Sequence, residues 1–240
     1  MRREGAATAD EVVPRASRPA PHNSLRRAPR VRAVIFDLDG TLVDSQLDVL
    51  GAFAHAFLGL GVPKPPDEDL RHVIGMRLED CFARFLGGDR DRSKEGAALF
   101  REWYKDHYLD DTHPYPGADG ALRALSGNVP IALCTMKKWQ FAHKILEAFA
   151  WSDLFSEVLG AEEGFPAKPD PAMLREICRR LGAAPSDVLY VGDTSMDAAM
   201  AAAAGAPFAF AAYGYGTAES VAPYPAVTRL GSAAEIAQLA

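Results

Sequence analysis

The stretch Val34-Ile35-Phe36-Asp37-Leu38-Asp39-Gly40-Thr41-Leu42 places two carboxylates directly after an apolar run. A run rich in Val and Ile predicts a buried strand, here over about residues 31–36. Because Asp37 and Asp39 are two positions apart in an extended segment, both side chains can face one cavity. Open α/β folds bind their ligands at the carboxyl ends of parallel strands. The stretch therefore predicts a charged site at that edge of a parallel sheet.

Strand and helix patterns alternate along the second half of the chain. The predicted strands cover residues 129–134, 157–159, 188–191 and 207–211, and the predicted helices cover residues 118–125, 140–149, 171–181, 195–204 and 233–239. Strands that alternate with helices are typical of a parallel sheet with helices on both faces. Right-handed crossovers then restrict its topology.

The segment from residue 46 to residue 113 has helical periodicity and no convincing strand. Ser45 is the predicted N-cap of its first helix. The segment His113–Gly117 is rich in proline and predicts a stiff return to the main domain. The sequence therefore predicts an α/β fold with a Rossmann-like parallel sheet in residues 31–45 and 114–240, and a helical domain inserted at 46–113.

Composition and charge are those of a soluble globular protein, with 240 residues, 48% hydrophobic and 24% charged. Residues 1–30 contain seven arginines and three acids without regular periodicity, which predicts a disordered basic extension; its acids disfavour a transit peptide. The remainder carries 19 basic and 29 acidic residues, which disfavours nucleic-acid binding. No apolar run is long enough for a membrane span. The three cysteines lack metal or redox spacing, so we expect free thiols and a cytoplasmic location.

Three more polar signals follow predicted strands. Thr135 ends the second one, and its hydroxyl and the nearby backbone N–H groups can hold phosphate oxygens. Lys168 precedes a proline, which keeps it extended in a fixed place. Asp193 ends a third strand, and Asp197 lies in the first turn of the next helix. Singly, such residues are usually turn, cap or solvated residues. Their coincidence in chain order favours one shared site.

The residue types in this set are suited to phosphoryl transfer. One carboxylate can accept a phosphoryl group as an aspartyl phosphate, while a second acts as general acid and then base. Two close carboxylates repel each other unless a cation lies between them, and oxygen ligands suit Mg²⁺. The charge of Lys168 can balance the nucleophile and the phosphate. We therefore expect a Mg²⁺-dependent site.

The motif order, DxDGT, a strand-end Thr, a Lys and GDxxxD, resembles the haloacid dehalogenase superfamily of phosphotransferases over about residues 31–240. The helical segment is similar to the cap of phosphoglycolate phosphatase-like members, as are Gly75–Leu78 and Tyr115–Gly117. The resemblance implies that Asp37 is the nucleophile and Asp39 the acid/base. It further implies that Mg²⁺ is bound by the side chains of Asp37 and Asp193 and by the backbone carbonyl of Asp39. Phosphoryl contacts would come from Thr135, Met136 and Lys168. Asp197 would support the metal shell, and Thr41 would help to orient Asp39.

One position departs from the family pattern. Many relatives have Asn where this chain has Met136, so an amide contact to substrate is lost while the backbone N–H can still donate to phosphate. Lys137 and Lys138 can compensate, but we interpret them as exposed lysines at a helix start. Arg77 in the cap is the candidate contact for a substrate anion. The segment Gly214–Thr217 is interpreted as a plain glycine turn.

The leading hypothesis is a phosphatase for a small phosphorylated metabolite such as phosphoglycolate or a sugar phosphate. A phosphomutase is an alternative, because the same motifs serve it. A catalytically inactive binding or regulatory protein is a third, which the intact set of acids and Lys168 disfavours. Dehalogenation is disfavoured because relatives that catalyse it lack the second Asp, which is present here as Asp39. We expect no nucleic-acid or membrane partner, and a monomer or a homodimer.

Overall fold

The computed structural model describes residues 31–161 and 164–239, so the predicted disordered extension at 1–30 lies outside the described residues. The strands are β1 (Ala33–Phe36), β2 (Val43–Asp44), β3 (His113–Pro114), β4 (Ile131–Lys138), β5 (Phe155–Ala161), β6 (Val188–Gly192), β7 (Phe208–Ala211) and β8 (Thr228–Leu230). The helices are α1 (Gln46–Gly59), α2 (Asp67–Arg71), α3 (Leu78–Phe85), α4 (Arg90–His107), α5 (Ala118–Ser126), α6 (Trp139–Ala148), α7 (Ala172–Arg180), α8 (Ser195–Ala204) and α9 (Ala218–Val221).

Six parallel strands form the central sheet in the order β5-β4-β1-β6-β7-β8. All four residues of β1 are buried, because hydrophobic clusters cover both faces of the sheet. A strand buried on both faces needs an apolar residue at every position, which explains its continuous Ala-Val-Ile-Phe run. Phe36, the last residue of β1, pairs with Leu133 of β4 and Val191 of β6. The predicted α/β parallel fold is confirmed.

The helical region of α1 to α4 lies between β2 and β3, which pair as an antiparallel ribbon. Its core contains the buried rings of Phe53, Phe57, Phe82 and Phe100. The ring centroids of Phe53 and Phe100 lie 5.0 Å apart in an edge-to-face arrangement, which adds to the energy of burial. The helical region therefore has a hydrophobic core of its own, in addition to the two clusters on the sheet.

A buried carboxylate ties the start of the helical region to its end. Asp48 in α1 accepts hydrogen bonds from the backbone N–H of Asp111, at 2.9 Å, and from the Thr112 hydroxyl, at 2.7 Å. Both donors lie just before β3. These bonds hold together the two chain segments that connect the helical region to the sheet, one entering α1 and the other leaving toward β3.

The structure differs from the predicted elements mainly at short segments. The ribbon, α9 and β8 have too few residues to show a period, and the ribbon pairs residues far apart in sequence. The last predicted helix is a 3₁₀ helix, Ala233–Gln238. β4 continues four residues beyond its predicted end, through Lys138. No helix among the described residues has both the length and the apolarity to cross a membrane. The cysteines are free and buried.

Candidate active site

The loop after β1 turns back on itself directly behind Asp37. The carbonyl of Leu38 accepts hydrogen bonds from the backbone N–H groups of the three residues at 41–43. Gly40 has φ +78°, and a Cβ at this position would lie 2.2 Å from an Asp193 carboxylate oxygen. Only glycine combines this backbone conformation with such a close approach. The turn therefore brings the first acidic pair against the strand end that carries Asp193.

Three carboxylates and one lysine form a buried cluster at the carboxyl ends of β1 and β6. Oxygen atoms of Asp37, Asp193 and Asp197 lie within 4.8 Å of one another. Lys168 Nζ lies 3.0 Å from Asp37 Oδ1 and 2.7 Å from Asp197 Oδ1. All four residues are buried. The structure thus brings together four of the residues that the sequence assigned to one site.

The charges of this cluster do not balance. Burial raises the pKa of Asp37 to about 6 despite the attraction of Lys168, and burial raises the pKa of Asp193 well above its ordinary value. Burial also acts to raise the pKa of Asp197, but Lys168 outweighs it and lowers that pKa. Lys168 and Asp197 thus form an ion pair, while Asp37 and Asp193 lack enough positive charge between them.

The cluster suits a divalent cation next to Asp37 and Asp193. Asp37 Oδ1 is buried and accepts no well-aligned hydrogen bond from the described residues. Asp197 is different, because it accepts from Lys168 and from the Tyr190 hydroxyl at Oδ1, and from the N–H and hydroxyl of Thr194 at Oδ2. Its oxygens are already occupied, which fits a supporting position behind the metal ligands.

Asp193 is held by contacts that the sequence analysis did not predict. The Thr41 hydroxyl donates to Asp193 Oδ1 at 3.2 Å, and the backbone N–H of Tyr215 donates to Asp193 Oδ2 at 2.8 Å. The prediction that Thr41 orients Asp39 is therefore wrong for this structure. The segment Gly214–Thr217 is more than a plain glycine turn, because its backbone closes over Asp193. No local sequence pattern predicts these contacts, because Thr41 is far from Asp193 in sequence and Tyr215 lies in a loop without a motif.

Replacing Gly214 with Ala is expected to destabilise the fold. The new Cβ would lie 2.1 Å from the carbonyl oxygen of Gly40 and 2.5 Å from Asp193 Cβ. Forced overpacking of this kind costs about 1–3 kcal/mol of unfolding free energy, measurable by urea denaturation. Gly120→Ala is the matched control, since Gly120 is exposed in α5 and its Cβ meets nothing within 4 Å. That control is expected to stabilise by up to about 1 kcal/mol. Equal effects of the two variants would contradict the close packing around Asp193.

Asp39 has a separate set of partners. The Ser45 hydroxyl donates to Asp39 Oδ1 at 2.5 Å, and Lys137 Nζ lies 3.1 Å from the same oxygen. Ser45 stands at the N-cap position of α1, but its side chain makes no cap hydrogen bond. Instead, Asp44 Oδ1 accepts from the N–H of Gln46. The predicted side-chain cap by Ser45 is therefore wrong, because the hydroxyl is used to hold Asp39.

An irregular stretch of β4 turns Lys137 toward Asp39. Cys134 pairs with Leu159 and Lys138 with Ala161, so β4 has two more residues than β5 over this interval. Such a bulge redirects side chains. The Lys137 side chain is only 6% exposed, and neighbouring Asp39 and Tyr104 raise its pKa although burial opposes this. The interpretation of Lys137 as an exposed lysine is wrong, whereas Lys138 is exposed as expected.

A cleft of about 610 Å³ opens over these groups, between the sheet and the helical region. Asp37, Asp39, Thr135, Met136, Lys137, Arg77, Glu79 and Arg101 are among its lining residues. Arg77 thus lies at the cleft as predicted, with Nε 3.3 Å from Glu79 Oε2. Arg101 Nη2 lies 2.6 Å from Glu79 Oε1, and its buried Nε has no partner among the described residues. Glu79 therefore holds two arginines on the helical wall.

Comparison with known proteins agrees with this architecture. Residues 34–211 match the family model described as haloacid dehalogenase-like hydrolase. A phosphoglycolate phosphatase of Cereibacter sphaeroides is 38% identical, over 76% of this chain and 85% of that protein. One from Neisseria gonorrhoeae is 33% identical, over 78% and 82%. A solved haloacid dehalogenase-like hydrolase of Streptococcus pneumoniae superposes with a TM-score of 0.80 at 26% identity, covering 86% of this chain and 96% of the other.

The fold places acidic residues at the carboxyl ends of neighbouring parallel strands, where open α/β folds bind their ligands. The chain belongs to the haloacid dehalogenase-like hydrolase family. The predictions of this family and of a phosphoric monoester hydrolase are confirmed.

Proposed function

We propose that this chain is a Mg²⁺-dependent phosphatase that hydrolyses a small phosphorylated metabolite through an aspartyl phosphate on Asp37. The observation that carries the proposal is the position of Asp37, which is buried against Lys168 and lies beside Asp193 at the carboxyl ends of the parallel strands. Asp39, Thr135 and Lys137 line the same cleft. In this proposal Asp37 is the nucleophile, Asp39 the proton carrier and Lys168 the positive charge for the phosphoryl group.

In the first half of the reaction a carboxylate oxygen of Asp37 attacks the phosphorus atom. The bond from phosphorus to the ester oxygen breaks, and Asp39 gives that oxygen a proton as the alcohol leaves. Lys168 balances negative charge on Asp37 and the phosphoryl group, while Thr135 and the N–H of Met136 donate to phosphoryl oxygens. The product of this step is an acyl phosphate on Asp37.

In the second half a water molecule attacks the phosphorus atom of the acyl phosphate. Asp39, now ionised, takes a proton from the water, and the Asp37 carboxylate leaves as inorganic phosphate forms. The hydrogen bond from Ser45 to Asp39 Oδ1 keeps the carboxylate in place for both steps. The net reaction of the two steps is hydrolysis of one phosphate ester by one water molecule, which gives the alcohol and inorganic phosphate.

The metal ion is proposed to be held by Asp37, Asp193 and the backbone carbonyl of Asp39. A hard divalent ion such as Mg²⁺ prefers oxygen ligands of this type and would neutralise charge on the phosphoryl group and the carboxylates. The raised pKa values of Asp37 and Asp193 support this, because burial raises both and the attraction of Lys168 does not offset it at Asp37. Asp197 would act from behind, through Lys168.

Residues 46–113 are proposed to be a cap that closes over the substrate. The support for this is the separate aromatic core of the helices and the two adjacent crossings at the β2–β3 ribbon. A closed cap excludes bulk water from the reacting groups. The cleft volume of about 610 Å³ suits a small metabolite. The relatives named phosphoglycolate phosphatase make a short, acidic phosphate ester the first substrate to test.

A phosphate-release assay over a metabolite panel, with and without Mg²⁺, tests this proposal. We expect Mg²⁺-dependent release of phosphate from small monoesters and from p-nitrophenyl phosphate. Isomerisation of a sugar 1-phosphate faster than phosphate release would favour the phosphomutase alternative. Ligand binding without any turnover across the panel would favour the inactive binding protein and overturn the proposal.

A further inference from the structure

Lys137 is a nearly buried cation that the steps above do not use. Its Nζ lies 3.1 Å from Asp39 Oδ1 and 2.5 Å from the hydroxyl oxygen of Tyr104, and 4.7 Å from the centroid of the Tyr104 ring. Tyr104 belongs to α4 in the helical region, whereas Lys137 belongs to β4 in the sheet. Lys137 therefore lies where the helical region, the sheet and the proposed proton carrier meet.

The ammonium group of Lys137 has hydrogen-bonding capacity to spare. An ammonium carries three N–H donors, and the contacts to Asp39 and Tyr104 use two of them. The side chain lines the cleft, so the third donor is available to a bound molecule. The Tyr104 hydroxyl fixes the long side chain in one position, which lowers the entropy lost when a ligand binds.

The position of this donor relative to the reacting ester follows from the role proposed for Asp39. The ester oxygen must lie within hydrogen-bond reach of the Asp39 carboxyl group to receive its proton. Because Lys137 Nζ is 3.1 Å from that carboxyl group, atoms one or two bonds beyond the ester oxygen come close to Lys137. Lys168 contacts Asp37 instead, on the phosphoryl side. A short substrate placed in this way would have Lys168 near its phosphoryl end and Lys137 near its leaving end.

We propose that Lys137, held by Tyr104, binds an anionic group on the leaving half of the substrate and makes the enzyme selective for short phosphate monoesters with a carboxylate near the ester oxygen. This rests on the proposed phosphatase function. Lys137 is the specificity-determining residue, and Tyr104 is a positioning residue that acts through it. A neutral leaving group of the same size leaves the third donor of Lys137 without an anionic partner.

Two substrates of similar size separate this role from general catalysis. Phosphoglycolate carries the carboxylate, and ethyl phosphate lacks it. The wild-type protein is expected to prefer phosphoglycolate in kcat/KM. Lys137→Met is expected to lower kcat/KM for phosphoglycolate by about 10–100-fold, mainly through KM, because a charged hydrogen bond contributes about 1.5–3 kcal/mol. Its kcat/KM for ethyl phosphate is expected to fall by a clearly smaller factor, because only the lost contact to Asp39 acts there and no bond to a substrate carboxylate is removed.

Lys138→Met is the matched control, since it removes the neighbouring exposed lysine and is expected to preserve the preference. Tyr104→Phe keeps the ring and removes only the hydroxyl, so it is expected to lower the preference to an intermediate value even if Lys137→Met folds poorly. Equal losses on both substrates in either variant would overturn the proposal. If the wild type hydrolyses p-nitrophenyl phosphate but shows no preference for phosphoglycolate, the specificity proposal fails and the phosphatase proposal stands. If it hydrolyses none of the three substrates, both fail.

Discussion

Asp37→Asn is expected to lower the rate of phosphate release by on the order of 10⁴-fold or more, since loss of a nucleophile removes the covalent route. The Asn side chain has the same shape but is a far weaker nucleophile. The measurement is steady-state phosphate release from p-nitrophenyl phosphate at saturating Mg²⁺. The p-nitrophenolate leaving group of this substrate needs little protonation. Undiminished turnover by this variant would show that Asp37 does not accept the phosphoryl group.

The stability of the same variant tests whether lost activity comes from lost structure. Burial raises the pKa of Asp37 from 3.8 to about 6, so the metal-free folded state holds an unfavourable charge above about pH 6. In a chelator, Asp37→Asn is therefore expected to raise the free energy of unfolding by about 1–3 kcal/mol above that pH. The gain should shrink as the pH falls toward 3.8, where the carboxyl group is protonated in both states. A gain that grows with acidification would contradict this charge imbalance.

Asp193→Asn is expected to lower the apparent affinity for Mg²⁺, measured from the activation curve, by about 10–100-fold. The rate at saturating Mg²⁺ is expected to fall as well. The variant keeps an oxygen in place but removes the charge that attracts the cation. Mg²⁺ should raise the Tm of the wild type, because a ligand of the native state stabilises it, and this shift should largely vanish in the variant. The Tm shift reports metal binding without turnover.

Asp153→Asn provides the control for that experiment. Asp153 is exposed and lies just before β5, at the edge of the sheet opposite the carboxyl ends of the strands. Its replacement should leave both the Mg²⁺ activation curve and the Tm shift unchanged. Equal loss of the Tm shift in the two variants would show that Mg²⁺ acts through general surface charge.

The residues that follow strands were predictable because parallel strands place their ends together whatever the rest of the chain does. Asp37, Lys168, Asp193 and Asp197 each lie beside a local signal, an apolar run or a helix start, and the structure groups them in one cluster. Their proposed roles in catalysis rest on chemistry and on the family resemblance.

The groups that hold this cluster were not predictable in the same way. Ser45 has the pattern of an N-cap, and only the tertiary fold turns its hydroxyl to Asp39. Tyr215 reaches Asp193 and Ser45 from a loop with no period or motif. Lys137 is buried because β4 has a bulge, which depends on its pairing with β5 and not on its own sequence. Contacts between distant segments decide these positions.

The central claim is that Asp37 carries the phosphoryl group between the two half-reactions. The most direct measurement is mass spectrometry of acid-quenched Asp39→Asn protein after mixing with p-nitrophenyl phosphate and Mg²⁺. This variant lacks the general base, so the second half-reaction should slow and the acyl phosphate should accumulate. The account predicts one phosphoryl group, removable by hydroxylamine, on the peptide that contains Asp37. A phosphoryl group on any other residue, or none at any quench time while the substrate is consumed, would contradict it.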